Sequence, residues 1–223
     1  MPARRTLTPG ESPVHHFGAE VRRAREAAAM TLAELGDLVP VDKSTVSRIE
    51  AGLWACEHSL IPGLLQVEPY ARAVLERHPD TVPEQAAERA AARIARQAVL
   101  ERDRPPRFWV LIDESALHRE VGGSKVMASQ MERLAGMARW PNITVQLLSR
   151  NGAHVGLSGG FVVAETPETT VAYLDHQADA MTTDSPATVG LLCSRFDSLR
   201  TEAFRGSESL ILIEEAAERW ASS

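Results

Sequence analysis

Apolar residues return at steps of three and four from Phe17 to Ile49, and Pro40 breaks the pattern. Phe17, Val21, Ala24 and Ala28 mark the buried side of a first helix. Thr31 is placed to cap a second, with Glu34 three residues on completing a capping box, and Leu32, Leu35 and Leu38 give it an apolar edge. Val39-Pro40-Val41 then interrupts, because proline lacks a backbone donor and biases the residue before it away from helix. Asp42 caps a third short helix in which Val46 and Ile49 point inward, and Gly52 stops it. Two short helices joined by a tight turn therefore fill Thr31 to Gly52.

Beyond residue 58, helical and alternating stretches interleave. Leu60 to Leu65 reads as an apolar turn, followed by a helix carrying Tyr70, Val74 and Leu75. Pro83 opens a helix to about Arg102, with Ala87, Ala90, Ala91, Ile94 and Ala98 at helical spacing. Arg107 to Asp113 predicts a buried strand, and a helix from about Ser124 gathers Met127, Gln130, Met131, Leu134 and Met137 on one side. Ile143, Val145 and Leu147 alternate with Thr144 and Gln146, the mark of a half-buried strand, and two more strands are expected at Gly160–Glu165 and Thr170–Asp175. Ser185-Pro186 starts a helix bearing Val189, Leu192, Cys193, Phe196 and Leu199, and Ser207 starts a last one bearing Leu210, Ile213, Ala217 and Trp220. The pattern predicts an α+β fold, mainly α with a small, mostly antiparallel sheet and helices against it. The expected organisation is a flexible arm over 1–14, a shortened helix-turn-helix over 15–53 and a C-terminal α/β domain over 54–223.

Composition narrows the classes. At 223 residues and 44% hydrophobic, the chain can bury a sizeable core beside one small module. No apolar run approaches the roughly 18 residues of a membrane helix. Met1 to Pro13, with Arg4, Arg5 and its prolines, lacks the apolar centre of a signal peptide, so a cytoplasmic protein without membrane attachment is expected. Cys56 and Cys193 show no CxxC or Cys/His ligand spacing and read as core thiols, with no disulfide, metal or cofactor expected.

Charge decides where nucleic acid could bind. With 24 Lys+Arg against 30 Asp+Glu the net charge is −6, so any DNA affinity must come from a local patch. The third helix offers one: Lys43, Ser44, Thr45, Ser47 and Arg48 surround its outer and N-terminal surfaces, where cations and hydroxyls suit a major groove. Arg22 and Arg23 of the first helix are available to phosphates. Thr31, Ala33, Glu34, Leu35, the run Ser44 to Glu50 and Gly52 resemble the Xre, or phage-repressor-like, family of bacterial regulators. The resemblance implies a DNA reader, most effective as a homodimer on two half-sites. Leu32 stands where that family usually carries a glutamine, and Pro40 where its turn usually has glycine. The two helices that close family domains after the reading helix are missing, so the module reads as truncated.

A second resemblance covers residue 57 to the end. Ile61–Val74, Ile112–Gly123, Gln130–Leu148 and Gly152–Val163 are similar to the uncharacterised C-terminal domain attached to many antitoxin-like Xre regulators. It implies a transcriptional regulator, often encoded beside a small partner protein. In this chain Ser149-Arg150 stands where a proline commonly follows the strand.

Polar groups at strand ends form the other candidate site: Asp113, Glu114, His118, His154, Asp175 and His176, with a glycine-rich loop over Asn151–Gly160. That loop has neither the Gly-Lys-Ser/Thr of a P-loop nor the GxGxxG order of a dinucleotide site. Asp113 and Glu114 are equally suited to capping the turn before Ala116-Leu117. Trp109 and Tyr173, with Met127 and Met131, either line an apolar ligand pocket or pack the core, and these spacings favour the core. No nucleophile, base and orienter emerge as a set, so no enzyme is expected. Two functions remain: a DNA-binding regulator whose C-terminal domain dimerises, binds a partner or senses a ligand, and a repurposed ligand-binding, partner-binding or catalytic domain that has lost DNA binding.

Overall fold

The computed structural model describes residues 52–57, 59–77, 81–103, 105–151, 159–165, 169–174 and 181–223. The chain divides into two compact units, Met1–Arg48 and Ile49–Ser223. The arm over 1–14 and the three helices expected before Gly52 lie outside the described residues.

Within the second unit the order is β1 (Gly52–Glu57), α1 (Glu68–Glu76), α2 (Pro83–Ala95), β2 (Phe108–Asp113), α3 (Ser124–Met137), β3 (Ile143–Leu148), β4 (Phe161–Glu165), β5 (Thr170–Leu174), β6 (Met181–Thr183), α4 (Pro186–Glu202) and α5 (Gly206–Ala221). The α+β class expected from the pattern is what forms. Six strands make one sheet in the order β3-β2-β1-β4-β5-β6. β1 runs parallel to β2 and β2 to β3, while β1–β4, β4–β5 and β5–β6 are antiparallel. Three of the five pairings are antiparallel, as the pattern predicts; the parallel pairing of β1 with β2 is not foreseen, because the pattern predicts no strand over 53–57. Parallel neighbours need long crossovers, here supplied by α1 and α2 between β1 and β2 and by α3 between β2 and β3.

Alternation along the strands sorts two cores. Leu111 of β2, Cys56 of β1, Phe161 and Val163 of β4 and Ala172 of β5 share one face and pack under Val189, Leu192, Phe196 and Leu199 of α4. Phe108, Val110 and Ile112 point to the other face with their register partners Ile143, Val145 and Leu147, and all six are buried. There α5 packs on α3 and on β3. The edge of β3 is closed by the α4–α5 connection: the Phe204 amide donates to the Leu147 carbonyl at 2.9 Å, and the Leu147 amide to Ser209 Oγ at 3.0 Å. Exposed backbone that would otherwise pair with another strand is thereby satisfied.

Three buried glutamines hold the irregular segment Ile61–Val67. Gln130, fully buried on α3, accepts from the Val67 amide and donates to the Leu65 carbonyl, both at 2.8 Å. Gln66 donates to the Ile61 carbonyl at 2.6 Å, and Gln97 donates to the Gln66 carbonyl at 2.6 Å. Arg93 closes the set by donating to Gln66 Oε1 at 2.9 Å. This clamp sets the rotation of α2. Ala86 and Ala90 are buried, whereas Ala91 and Ala98, expected inside, are exposed. Alanine occurs on every side of that helix and fixes no phase; the inward hydrogen bonds of Arg93, and of Gln97 in the 3-10 turn Arg96–Glu101 that follows, do.

Ahead of α3, Gly122 has φ +74, and a Cβ there would stand 3.0 Å from Ala73 Cβ of α1 and 3.1 Å from Val126 Cγ1. Both the backbone conformation and the close approach require glycine.

Candidate functional site

Because β1, β2 and β3 are parallel, their carboxyl ends at Glu57, Asp113 and Leu148 lie along one edge of the sheet. β4 begins at that edge, with Phe161 paired to Cys56, and β5 ends there, with Leu174 paired to Phe161. Ligands of open sheets with parallel strands bind outside such carboxyl ends.

The two adjacent carboxylates at this edge do different things. Asp113 is buried and its Oδ1 accepts from the Ser115 amide at 2.7 Å, which caps the 3-10 turn Glu114–Leu117. Glu114 does not share that task. Its Oε1 lies 3.6 Å from His118 Nε2 and 4.0 Å from Arg150 Nε, while Oε2 accepts from the Arg150 amide at 3.5 Å. The i,i+4 spacing across the turn brings Glu114 and His118 to the same side, and the end of β3 supplies Arg150. Strand parallelism is what brings Arg150 into the group, so sequence order alone does not reveal it. His154, Asp175 and His176 lie outside the described residues, as do Lys43, Ser44, Thr45, Ser47, Arg48, Arg22 and Arg23.

Trp109 and Tyr173 are not brought together. Trp109, two residues from Leu111, shares its face of the sheet and faces α4, where its ring meets Phe196 edge-on at 6.4 Å and carries the Arg200 guanidinium at 4.7 Å. Its indole N–H donates to Gln146 Oε1 at 2.8 Å, and Gln146 in turn donates to the Phe204 carbonyl at 2.8 Å. Tyr173 is paired with Val162 and alternates with Ala172 and Leu174, which belong to the α4 side, so it projects from the opposite face. Met127 and Met131 are fully buried on α3. Trp109 and Tyr173 therefore project from opposite faces of the sheet.

The thiols are structural in setting. Neither cysteine is in a disulfide; Cys56 is buried and Cys193 packs against the same cluster beneath α4. Burial raises the Cys193 pKa, with smaller contributions from the negative charges of Asp197 and Glu165. A raised thiol pKa means that the fold favours the neutral form, so this contribution is complete below the unfolded pKa and is lost as pH rises through the folded one. Iodoacetamide at pH 8 is expected to label Cys193 more slowly in the native protein than in urea-unfolded chain, since thiolate is the reactive species. Equal rates after correction for unfolding would contradict this setting. Among the described residues no group of three or more His, Cys, Asp or Glu could hold a metal ion, and no helix is long and apolar enough to cross a membrane.

Comparison with known families defines the class first. Residues 16–67 match a family model described as a helix-turn-helix domain, which points to a DNA-binding regulator rather than an enzyme. Residues 51–215, about three quarters of the chain, match the model described as Domain of unknown function (DUF5753), and the chain belongs to that family. Comparison with curated proteins and with solved structures finds no match. The two family spans overlap over 51–67, where the structure has β1 and the turn Gly63–Leu65 of the second unit.

Proposed function

We propose that this protein is an antitoxin-like transcriptional regulator of the Xre type, acting in the bacterial cytoplasm as a homodimer. Lys43, Ser44, Thr45, Ser47 and Arg48 read the major groove, and Arg22 and Arg23 hold phosphates. The domain over 54–223 dimerises and senses a ligand or a small partner protein encoded nearby.

The observation that carries this reading is the helix-turn-helix match over 16–67. Charge supports it. Met1–Arg48 has 7 Lys+Arg against 6 Asp+Glu, whereas Ile49–Ser223 has 17 against 24, so the acidic excess belongs to the second unit. An acidic sensor attached to a near-neutral reader leaves the reader as the part suited to DNA.

The test is binding of the full chain to a fluorescent duplex of its own upstream region, against scrambled DNA, at two salt concentrations. Lys43→Ala with Arg48→Ala is expected to weaken binding at least about tenfold and to reduce the salt slope by about 1 for each phosphate that is no longer neutralised. Unchanged affinity in the double variant would remove the third helix as reader. The second reading, a repurposed ligand- or partner-binding domain, draws on one observation: part of the helix-turn-helix span, Gly52–Glu57, is a sheet strand. Absence of binding to either duplex by folded protein would favour it.

A further inference from the structure

The acidic excess of Ile49–Ser223 is unevenly spread. Residues 89–107, which finish α2 and lead into β2, hold 6 of the unit's 17 Lys+Arg but only 2 of its 24 Asp+Glu. The rest of the unit has 11 against 22, so the net-charge argument that leaves the reader as the part suited to DNA does not extend to this stretch. All six cations are arginine, whose planar fork matches phosphate geometry.

The fold puts three of them on the surface without partners. Arg89, Arg102 and Arg107 are exposed, and none has a side-chain hydrogen bond or ion pair among the described residues. Elsewhere in the unit Arg72, Arg139 and Arg200 are each held by a carboxylate, of Glu76, Glu214 and Asp197. The backbone that carries Arg102 and Arg107 is fixed against the start of β3: Asn142 Nδ2 donates to the Leu100 carbonyl at 3.1 Å and to the Pro106 carbonyl at 3.5 Å, and the Phe108 amide donates to the Asn142 carbonyl at 2.8 Å. Arg133 of α3 joins this surface, 3.9 Å from Glu101 and 5.4 Å over the Trp140 ring. Glu101 and Asp103 are the two acids of the stretch.

We infer that Arg89, Arg102 and Arg107 form a track that holds the phosphate backbone of duplex DNA without reading its sequence. The spread of the three decides for a repeating anion over a single one, since roughly 9 Å of α2 separates Arg89 from the end of that helix at Ala95, before the turn that leads to Arg102 begins. A single strand would call for open aromatic faces on which bases stack. Trp140, the aromatic beside the track, is half-buried and its ring carries Arg133, so the duplex is the better fit. The inference rests on the DNA-binding function proposed above and adds to it a second, sequence-independent hold.

The experiment titrates the full chain against two fluorescent duplexes, its own upstream region and a scrambled sequence, over a series of salt concentrations. With Arg89→Gln, Arg102→Gln and Arg107→Gln combined, the salt slope is expected to fall by about 1 for each arginine removed, equally on both duplexes, and binding at low salt to weaken about tenfold or more. A matched variant combining Arg119→Gln, Arg195→Gln and Arg219→Gln takes the same charge from exposed arginines elsewhere and is expected to keep the parent slope. Thermal unfolding close to the parent establishes that both variants are folded. Should the first unfold, Arg102→Gln with Arg107→Gln is read by the same criterion. A parent-like slope in the folded track variant, an equal loss in the matched variant, no binding of the scrambled duplex by the parent, or tighter binding of the corresponding single strand overturns the proposal. Equal affinity of the parent for the two duplexes counts against the reader alone, whereas failure of the track leaves any preference for the upstream duplex in place.

Discussion

Gln130→Leu is expected to destabilise the protein by about 2–4 kcal/mol, the buried Leu65 carbonyl and the part-buried Val67 amide losing their partners at roughly 1–3 kcal/mol each. For a domain of this size that lowers Tm by about 10 °C. Leucine fills nearly the same volume, so the loss is polar in origin: the Val67 amide and the Leu65 carbonyl, each bonded to Gln130 at 2.8 Å, both become unsatisfied. The Leu65 carbonyl cannot turn to solvent, since Leu65 and Gln66 are buried and the segment is also held by Arg93 of α2 and by Gln97 of the 3-10 turn Arg96–Glu101 that follows it. Thermal and urea unfolding of parent and variant measure the difference. A change under about 1 kcal/mol would mean that the segment relaxes and that the clamp is incidental.

Trp109→Ala is expected to cost about 3 kcal/mol, the lower end for an aromatic truncated in a core, because the ring is partly exposed. The loss has three sources: the edge-on contact with Phe196, the Arg200 guanidinium over the ring, and the donor to Gln146. Trp109→Phe separates them, keeping a ring beneath α4 while removing the N–H, and should cost about 1 kcal/mol. The pair also decides between packing and ligand binding at this residue. If Trp109 were a pocket wall, Trp109→Ala would leave Tm nearly unchanged, and that outcome would remove it from the core.

Much of the second unit is legible in the sequence where one face alone is buried. α3 shows this directly: Met127, Gln130, Met131, Leu134 and Met137 are its expected inner side and are all buried. β2 and β3 are readable as an apolar run and an alternation, and Pro83 and Pro186 mark helix starts that form. β1 is not, because it pairs on both sides with strands far along the chain and its six residues contain a glycine, a tryptophan and a terminal glutamate rather than an alternating pattern. β6, with three residues, is shorter than any periodicity can register. At the candidate site, Asp113 and Glu114 are legible as a strand-end pair, but their division of labour is not. One carboxylate turns back to cap its own turn, and the other meets Arg150 only through the parallel register of β2 and β3.

The position of β1 also imposes a wait on the growing chain. Its neighbour on one side, β2, begins at Phe108, and its neighbour on the other, β4, begins at Phe161. At about 5–20 residues per second, synthesis takes roughly 5–20 s to pass from β1 to the end of β4. Throughout that interval the middle of the future sheet is already made and lacks its second neighbour. Interruption of synthesis anywhere before Glu165 would therefore release a product in which β1 is an open edge strand, a species for chaperones and proteases rather than a smaller version of the domain.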